Sequence, residues 1–195
     1  MNLQKLYIYG HGGHGRVVAD IAVAAGYRDI RFLDDAHGQK FDAGLPKGNI
    51  IVTVGDNAVR QRLGQKVSAA GFRLVSLIHP AAVVSPSAVV AAGVVVMPQA
   101  VINNSACIGE GSIINTAAVV EHDCIIGAYA HVCPNVALAG GVYVGERVQV
   151  GIGSCVIQDV RIGAGSMIGA GSVVVRDLEA DVVAFGNPAR ACRKL

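Results

Sequence analysis

From position 78 onward, the chain repeats its hydrophobic pattern every six residues. Every sixth residue from Ile78 to Val174 is isoleucine, valine or leucine, without exception. A repeat this short matches neither the 3.6-residue period of an α-helix nor the simple alternation of an isolated strand. It predicts a short strand and a turn that stack on copies of themselves as a solenoid.

The residue two places before each aliphatic is mostly small. Residues two apart in a strand face the same side, so one large and one small side chain are predicted to point inward at each step. The small residues at this position are Ala82, Ala88, Ala100, Ala106, Ser112, Ala118, Cys124, Ala130, Ser154, Ser166 and Ser172.

A second period of eighteen residues appears at the position after each aliphatic, which predicts three hexads per coil and a triangular prism. Two of the three corner columns are rich in glycine, and we expect these glycines to provide positive φ angles. The first column is Ala91, Gly109, Gly127, Gly145 and Gly163, and the second is Met97, Asn115, Cys133, Gly151 and Gly169.

The third corner column contains no glycine and differs in chemistry. It reads Ser85, Asn103, Glu121, Ala139, Ile157 and Val175, and the residues one place further on include Asn104, His122 and Gly140. Functional residues are expected where a sequence departs from its local consistency. This corner, around Glu121, His122 and Asp123, is therefore the predicted site of chemistry.

The first 78 residues show a different pattern. Strands are predicted at 6–9, 30–33 and 50–54, and helices at 16–25 and 58–70, the second capped by Asp56 or Asn57. Residues 74–78 lead into the prism. The order of elements predicts one α/β unit over 1–78, followed by an all-β unit over 79–195.

A glycine-rich loop follows the first predicted strand. Gly10, Gly12 and Gly15 match G-x-G-x-x-G, and Asp34 follows the next strand. This arrangement is typical of nucleotide-binding folds, although a tight strand-to-helix turn also explains a single match. The region has the length of one mononucleotide-binding half, so a nucleotide-sugar fits better than NAD.

Composition narrows the class of function. The formal net charge is +2 and 15% of residues are charged, which gives no basic field for nucleic acid. Mean hydropathy is high at +0.49, but the longest apolar run, 88–97, is about half of the roughly 20 residues that span a bilayer. We therefore predict no membrane insertion, and the polar start of the chain predicts no signal peptide.

Five cysteines at 107, 124, 133, 155 and 192 form no close pairs. We interpret them as reduced packing residues of a cytoplasmic protein, without disulfide or metal.

Several motifs together resemble the left-handed parallel β-helix acyltransferases. More narrowly, the chain is similar to the bacterial sugar acetyltransferases that modify UDP-4-amino-4,6-dideoxy sugars in bacillosamine-type glycan synthesis for protein glycosylation. It also resembles the related sialic acid O-acetyltransferases. The motifs are the hexads, Tyr7-Ile8-Tyr9-Gly10 with Gly13-His14-Gly15, Phe32-Leu33-Asp34-Asp35, Glu121-His122-Asp123, and Gly186-Asn187-Pro188-Ala189-Arg190. The resemblance implies the left-handed coil, a homotrimer with sites between subunits, and acetyl-CoA as co-substrate without metal.

The resemblance also implies roles for individual residues. His122 would act as general base, with Asp123 or Glu121 holding its ring. Predicted UDP-sugar contacts are Gly10, Gly13, His14, Gly15, Asp34, Asp35, Gly55, Asp56, Asn57, Asn104 and Asn115. Predicted acetyl-CoA contacts are His131, Gly140, Gly151, Ile152, Gly169, Ala170 and Arg190.

Four functions follow as alternatives: N-acetylation of a UDP-linked amino sugar, O-acetylation of a sialic-acid-type sugar, a zinc hydratase, and a structural or ice-facing solenoid. His122 and His131 have the wrong spacing for a zinc site of three converging histidines. A structural solenoid typically shows a regular outward array, whereas Thr116 is the only threonine in the prism. We therefore favour an acetyltransferase.

Overall fold

The structure is a computed structural model that describes residues 5–195. Residues 1–4, on which the expectation about a signal peptide partly rests, lie outside the described part. A small α/β unit comes first, and its strands form one parallel sheet in the order β2-β1-β3-β4. Its elements are β1 (Lys5–Tyr9), α1 (Gly13–Ala24), β2 (Asp29–Leu33), β3 (Asn49–Val52), α2 (Asn57–Ala69) and β4 (Arg73–Leu74).

The rest of the chain winds into a left-handed parallel β-helix of two-residue strands, with a longer hairpin at its end. In chain order the strands are β5 (Leu77–Ile78), β6 (Val83–Val84), β7 (Val89–Val90), β8 (Val95–Val96), β9 (Val101–Ile102), β10 (Cys107–Ile108), β11 (Ile113–Ile114), β12 (Val119–Val120), β13 (Ile125–Ile126), β14 (His131–Val132), β15 (Ala137–Leu138), β16 (Tyr143–Val144), β17 (Gln149–Val150), β18 (Cys155–Val156), β19 (Arg161–Ile162), β20 (Met167–Ile168), β21 (Val173–Val174), β22 (Val182–Gly186) and β23 (Ala189–Lys194).

Every third strand falls in the same sheet, so the β-helix has three faces. The first face contains β5, β8, β11, β14, β17, β20 and β22, with β23 antiparallel at its end. The second contains β6, β9, β12, β15, β18 and β21, and the third contains β7, β10, β13, β16 and β19. The predicted period of three hexads per coil is confirmed by this pairing.

The hexad aliphatics form the core of the β-helix as predicted, except at its first coil. From Val96 to Val174 each is at most 3% exposed, whereas Ile78 is 38% exposed and Val84 and Val90 are only partly buried. The inward serines add hydrogen bonds to the next coil: Ser112 Oγ, for example, donates to the Gly127 carbonyl at 2.9 Å.

The expected role of the corner glycines was wrong. Positive φ falls two residues after them, for example at Gly111 (64°) and Tyr129 (56°), and not at Gly109 or Gly127. Gly109 is needed for close stacking instead, because a Cβ there would lie 2.6 Å from the Ala128 backbone nitrogen of the next coil.

The cysteine interpretation was correct only in part. All five thiols are free, and Cys124 and Cys133 are buried. Cys107 and Cys155 instead point outward from their strands, and Cys192 is exposed near the end of the chain. Outward strand positions have no need of a small residue, so packing does not explain these three.

The α/β unit packs on the first face of the β-helix. Helix α1 contributes Val18 and Ile21 to one core that also contains Leu77, Val95 and Met97 of the β-helix. The two units therefore share a hydrophobic core, which fixes one face of the β-helix beneath the α/β unit.

Arg60 on α2 forms a second link between the units, and its side chain is only 1% exposed. Its guanidinium donates to the carbonyls of Gly111 (2.8 Å), Tyr129 (2.7 Å) and Val54 (3.0 Å), and to Asn57 Oδ1 (2.7 Å). Burial lowers the pKa of Arg60 to about 10, so the group remains a cation at neutral pH. Because a buried cation must keep its hydrogen-bond acceptors, Arg60 fixes the position of the α/β unit on the β-helix.

Candidate functional site

The corner between the second and third faces presents His122 and Asp123. Asp123 has a φ of 60°, a left-handed conformation that aspartate tolerates better than most residues. Its backbone N–H donates to the Asn104 carbonyl of the coil before (3.0 Å), and the His122 carbonyl accepts from the Gly141 N–H of the coil after (2.9 Å). The corner backbone is therefore fixed by both neighbouring coils.

The imidazole of His122 is paired with the carboxylate of the next residue. His122 Nδ1 lies 2.8 Å from Asp123 Oδ2, and the two side chains are 62% and 66% exposed. The hydrogen bond that Asp123 accepts from His122 raises the pKa of His122, and the negative charges of Asp123, Glu121 and Asp159 raise it by smaller amounts. With Nδ1 engaged, Nε2 remains as the atom that can take a proton.

Glu121 is held by a different partner. The amide nitrogen of Asn103, one coil before, donates to Glu121 Oε2 at 2.9 Å. Of the two acids proposed to orient His122, the geometry brings Asp123 into contact with the ring.

Gly140 lies directly beside the imidazole. A Cβ on Gly140 would lie 2.6 Å from both Cε1 and Nε2 of His122, so only glycine leaves room for the ring in this position. Within residues 5–195 the Gly140 N–H has no hydrogen-bond acceptor. An unpaired backbone donor beside a base is suited to stabilise a developing oxyanion.

His131 and Asn115 lie elsewhere, on the first face and at its edge. Asn115 Nδ2 is 2.9 Å from His131 Nε2. Burial, the Arg60 charge and His14 lower the pKa of His131 to about 3, and burial and Arg60 lower the pKa of His14 to about 4. His14 Nε2 is buried without a partner among the described residues. The fold thus brings together two histidines that are far apart in the sequence.

The glycine-rich loop divides into structural and open positions. A Cβ on Gly10 would lie 2.9 Å from Thr53 Oγ1, and one on Gly15 would overlap the Gly10 carbonyl oxygen, so both glycines permit close packing of the loop. A Cβ on Gly12 would meet nothing within 4 Å, and one on Gly13 only the end of the Arg16 side chain. Gly12, which was not among the predicted contacts, is therefore as open to a ligand as Gly13.

The two acids after β2 are both used within the loop. Asp34 accepts from the backbone N–H groups of His11, Ala36 and His37 at 2.9–3.1 Å. Asp35 accepts from Tyr9 Oη at 2.5 Å. These bonds lower the pKa of both carboxyl groups. The carboxylates shape the wall of the predicted nucleotide cleft.

The third strand of the sheet brings Gly55, Asp56 and Asn57 to the same edge. Gly55 is open, because a Cβ on this residue would meet nothing within 4 Å. Asp56 caps α2 by accepting from the Val59 N–H at 2.8 Å, as predicted. Asn57 Nδ2 donates to the Arg147 carbonyl at 2.9 Å and so is used to join the units.

The remaining predicted acetyl-CoA positions lie on the first face and its edge toward the second. Gly151 and Gly169 stack closely on the following coil, since their Cβ atoms would lie 2.5 Å from Ile168 O and 2.7 Å from Phe185 Cβ. Ile152, beside Gly151, is 53% exposed, and Ala170 follows Gly169. Arg190 lies on β23, beyond the last coil, in a cavity of about 320 Å³ that Arg176 also lines.

These groups do not form one site within a single chain. The α/β unit with its open loop covers the first face, whereas His122 lies at the corner between the other two faces. In a triangular prism that corner is opposite the first face. His122 and the predicted nucleotide cleft therefore point in different directions.

Arg60 is the residue that sequence reasoning missed. An arginine in a polar helix resembles a solvated side chain, and nothing near it in the sequence indicates burial. Gly64, one turn later, was the only available signal: a Cβ there would lie 2.7 Å from Tyr129 Oη, so the glycine marks the face of α2 that packs on the β-helix.

In residues 5–195 no group of three or more His, Cys, Asp or Glu side chains is placed to hold a metal ion. Within the same residues, neither α1 nor α2 is long and apolar enough to cross a membrane.

Comparison with known proteins identifies relatives of both units. A model of the PglD N-terminal domain matches residues 5–67, and a model of the bacterial transferase hexapeptide (six repeats) matches residues 141–176. The chain is 38% identical over 112 residues to UDP-N-acetylbacillosamine N-acetyltransferase of Bacillus subtilis, a match covering 49% of this chain and 52% of that protein. The chain therefore matches only about half the length of this curated relative.

Solved structures match over nearly the whole chain. PerB of Caulobacter crescentus, in complex with CoA and GDP-perosamine, is 44% identical with a TM-score of 0.91, covering 97% of each chain. The acetyltransferase domain of PglB from Neisseria gonorrhoeae, in complex with acetyl coenzyme A, is 38% identical with a TM-score of 0.90, covering 97% of this chain and 99% of that one.

Proposed function

Because the chain belongs to the family of hexapeptide-repeat, left-handed β-helix sugar acetyltransferases, we propose that it transfers an acetyl group from acetyl-CoA to the 4-amino group of a UDP-linked amino-dideoxy sugar. The observation that carries the proposal is the His122–Asp123 pair, 2.8 Å apart, beside a glycine with an unpaired N–H. This arrangement contains a base, a group that orients it and a donor for an oxyanion.

The proposed reaction is a direct transfer. The sugar amine attacks the thioester carbonyl, a C–N bond forms, and His122 Nε2 takes a proton from the amine. The Gly140 N–H stabilises the oxyanion of the tetrahedral intermediate. The intermediate then collapses, the C–S bond breaks, and the proton passes to the departing thiolate of CoA. Asp123 stabilises the imidazolium that exists between these steps.

The site is proposed to form between subunits of a homotrimer. His122 of one chain cannot face the nucleotide cleft of the same chain, because the two lie on opposite sides of the β-helix. A neighbouring prism, packed in cyclic symmetry, would bring its own first face and α/β unit to that corner. Acetyl-CoA would then lie along Gly151, Ile152, Gly169 and Ala170, with Arg190 near a phosphate.

The identity of the nucleotide has two candidates. The UDP assignment is supported by the match to the Bacillus enzyme, and a GDP-linked amino sugar by the longer match to PerB. Both candidates use the same amine chemistry. Because nucleotide sugars and acetyl-CoA are cytoplasmic metabolites, we also place the enzyme in the cytoplasm.

The test is a panel of acceptors with acetyl-CoA. UDP-, GDP- and dTDP-linked 4-amino sugars, together with free sialic acid, would be mixed with the purified protein, and thiol release and product mass would be measured. We expect an amide product from an amino-sugar nucleotide and none from UDP-N-acetylglucosamine, which has no free amine. An ester product from sialic acid alone would show O-acetylation, and a folded His122→Ala variant with full rate would contradict the mechanism.

A further inference from the structure

His11 carries the only side chain at the tip of the glycine-rich loop. The residues around it are Gly10, Gly12 and Gly13, and its own side chain is exposed. The imidazole stacks on Phe32 of β2, with the two ring centroids 4.1 Å apart and the ring planes 25° from parallel. The loop therefore carries a small aromatic platform, in which Phe32 covers one face of the imidazole.

The position of this platform is fixed by the surrounding backbone. The His11 N–H donates to Asp34 Oδ2 at 3.1 Å. Gly10, with a φ of 121°, packs so closely that a Cβ there would lie 2.9 Å from Thr53 O. Phe32 packs against the hydrophobic core that contains α1. Both rings of the stack are thus held in place before a ligand binds, which lowers the entropic cost of binding to them.

The strand order places the platform at one end of the predicted nucleotide cleft. The chain passes from β1 to β2 on one side and then to β3 on the other, and ligands of open α/β sheets bind outside the carboxyl ends of the strands at such a reversal. In nucleotide-binding folds of this kind, an acid after the second strand contacts the ribose. Asp34 follows β2 and contacts the His11 backbone. A ribose at Asp34 would therefore bring its base next to His11.

The exposed imidazole is suited to contact a nucleobase. Bases stack through their flat π-faces on aromatic side chains, histidine included. The hydrogen bonds of His11 use its backbone N–H and carbonyl, and within residues 5–195 its ring nitrogens make none. The ring is therefore held by the stack on Phe32, and its polar atoms are not used to hold another part of the loop.

We propose that His11 is a substrate-binding residue on which the base of the nucleotide-sugar stacks, with Phe32 supporting the imidazole from the other side. The inference rests on the proposed function for the presence of a nucleotide-sugar, and it adds the residue that holds the base. Stacking does not read the hydrogen-bonding edge of a base. The same contact therefore serves the uracil of a UDP-sugar or the guanine of a GDP-sugar.

Binding of UDP and GDP to the whole protein tests the inference without catalysis. Isothermal titration calorimetry would compare wild type and His11→Ala for UDP, GDP and acetyl-CoA, and whichever nucleotide the wild type binds more tightly identifies the base. We expect His11→Ala to weaken binding of that nucleotide roughly 5- to 150-fold, the range that one base–aromatic stack contributes. The affinity for acetyl-CoA and the Tm should stay near the wild-type values, because the ring is exposed.

Two further variants separate stacking from hydrogen bonding. His11→Phe keeps a flat ring and removes the imidazole nitrogens, whereas His11→Gln keeps polar atoms and removes the ring. We expect His11→Phe to bind the preferred nucleotide within about threefold of the wild type, and His11→Gln to lose as much affinity as His11→Ala. The reverse pattern would overturn the inference, because it would assign the contact to a hydrogen bond from the imidazole.

His37→Gln is the matched control. His37 is also an exposed histidine whose backbone N–H donates to Asp34, and its replacement should leave nucleotide binding at the wild-type level. Wild-type affinity in His11→Ala, or equal losses in all three His11 variants, would overturn the inference and leave the proposed function standing. A wild-type protein that binds neither UDP nor GDP would contradict the proposed function as well.

Discussion

At the residue scale, the proposed chemistry of this protein depends on two neighbouring side chains, His122 and Asp123. Their contact is possible because Asp123 adopts a φ of 60°, which turns its carboxylate back toward the preceding imidazole. In the same corner position other coils use Ser105, Gly141 or Asp159, also with positive φ. The positive φ that is common to these corner positions thus brings the Asp123 carboxylate to the proposed base.

The pairing predicts a pH effect with a definite sign. Asp123 raises the pKa of His122 above its ordinary value of 6.5, and the base is active only when neutral, so kcat/KM should rise with pH through that raised pKa. Asp123→Asn removes the carboxylate, so the acidic limb should move to lower pH, while the plateau falls about ten- to hundredfold because the ring is no longer oriented.

The control for this prediction is Glu121→Gln, measured over the same pH range. Glu121 accepts a hydrogen bond from Asn103 and acts on His122 only through its charge. The acidic limb of the pH profile should therefore move less in Glu121→Gln than in Asp123→Asn. A larger shift in Glu121→Gln than in Asp123→Asn would assign the orienting role to the other acid.

The sequence points to His122 but does not decide which neighbouring acid contacts its ring. His122 stood out because its column lacks glycine. The choice between Glu121 and Asp123 depends on φ at Asp123 and on the reach of Asn103 from the coil before, and neither is visible in a local motif. The buried role of Arg60 is similarly a product of tertiary packing.

At the element scale, the coil is defined by how closely its corners stack. The hexad pattern predicted the strands, the faces and the inward residues from Val96 to Val174, because a hydrophobic period follows directly from which side faces the core. It gave the wrong reason for Gly109 and its equivalents, since the closeness of two backbones is a property of stacked coils and not of one hexad.

Two glycine-to-alanine variants should show how much stability depends on the close stacking of the corners. In Gly109→Ala the new methyl group meets the Ala128 backbone nitrogen at 2.6 Å, and a backbone in the middle of the stack cannot move away. We expect a loss of about 2 kcal/mol, or a fall in Tm of roughly 4–8 °C, by thermal unfolding. In Gly153→Ala the methyl group meets nothing within 4 Å, and the only expected cost is the strain of a φ of 68°, about 1 kcal/mol, so the loss should be smaller.

Gly140→Ala should show the opposite behaviour. Its methyl group meets Cε1 and Nε2 of His122 at 2.6 Å, and the exposed imidazole can swing aside without disturbing the coil. We expect the Tm to stay near that of the wild type, while kcat falls about a hundredfold because the base leaves its position. Comparable activity of Gly140→Ala and wild type would show that the ring position seen here is not the working one.

At the scale of the whole molecule, the docking of the α/β unit on the first face partly buries two histidines, His14 and His131. His14 and His131 have folded pKa values of about 4 and about 3, against about 6.5 for an unfolded chain. Below pH 6.5 the unfolded state therefore binds more protons than the folded state. The contribution of these two histidines to the free energy of unfolding should be fully present above about pH 6.5 and should be lost as the pH decreases toward 3–4.

Urea unfolding at fixed protein concentration between pH 7.5 and pH 5 would measure this slope. A His131→Gln variant removes one of the groups that bind protons on unfolding, so its stability should depend less steeply on pH. The exposed loop residue His37 provides the matched control, and His37→Gln should retain the wild-type slope. Equal slopes in His131→Gln and the wild type would contradict the burial of His131 as a neutral group.

The central claim about the whole molecule is that His122 of one chain works with the nucleotide cleft of another. It is argued from the placement of the α/β unit and the His122 corner on opposite sides of the β-helix, and the sequence resemblance implies the same arrangement. The most direct measurement is complementation between two inactive variants. His122→Ala lacks the base, and Gly13→Leu fills the open part of the glycine-rich loop.

Differently tagged chains of the two variants would be co-expressed, and mixed oligomers carrying both tags would be purified and assayed. A cyclic trimer that contains both variants pairs an intact His122 with an intact cleft at one of its interfaces, so activity should return to about a third of the wild-type value. Mixed oligomers as inactive as either parent would contradict the account, because they would place the base and the cleft in the same chain.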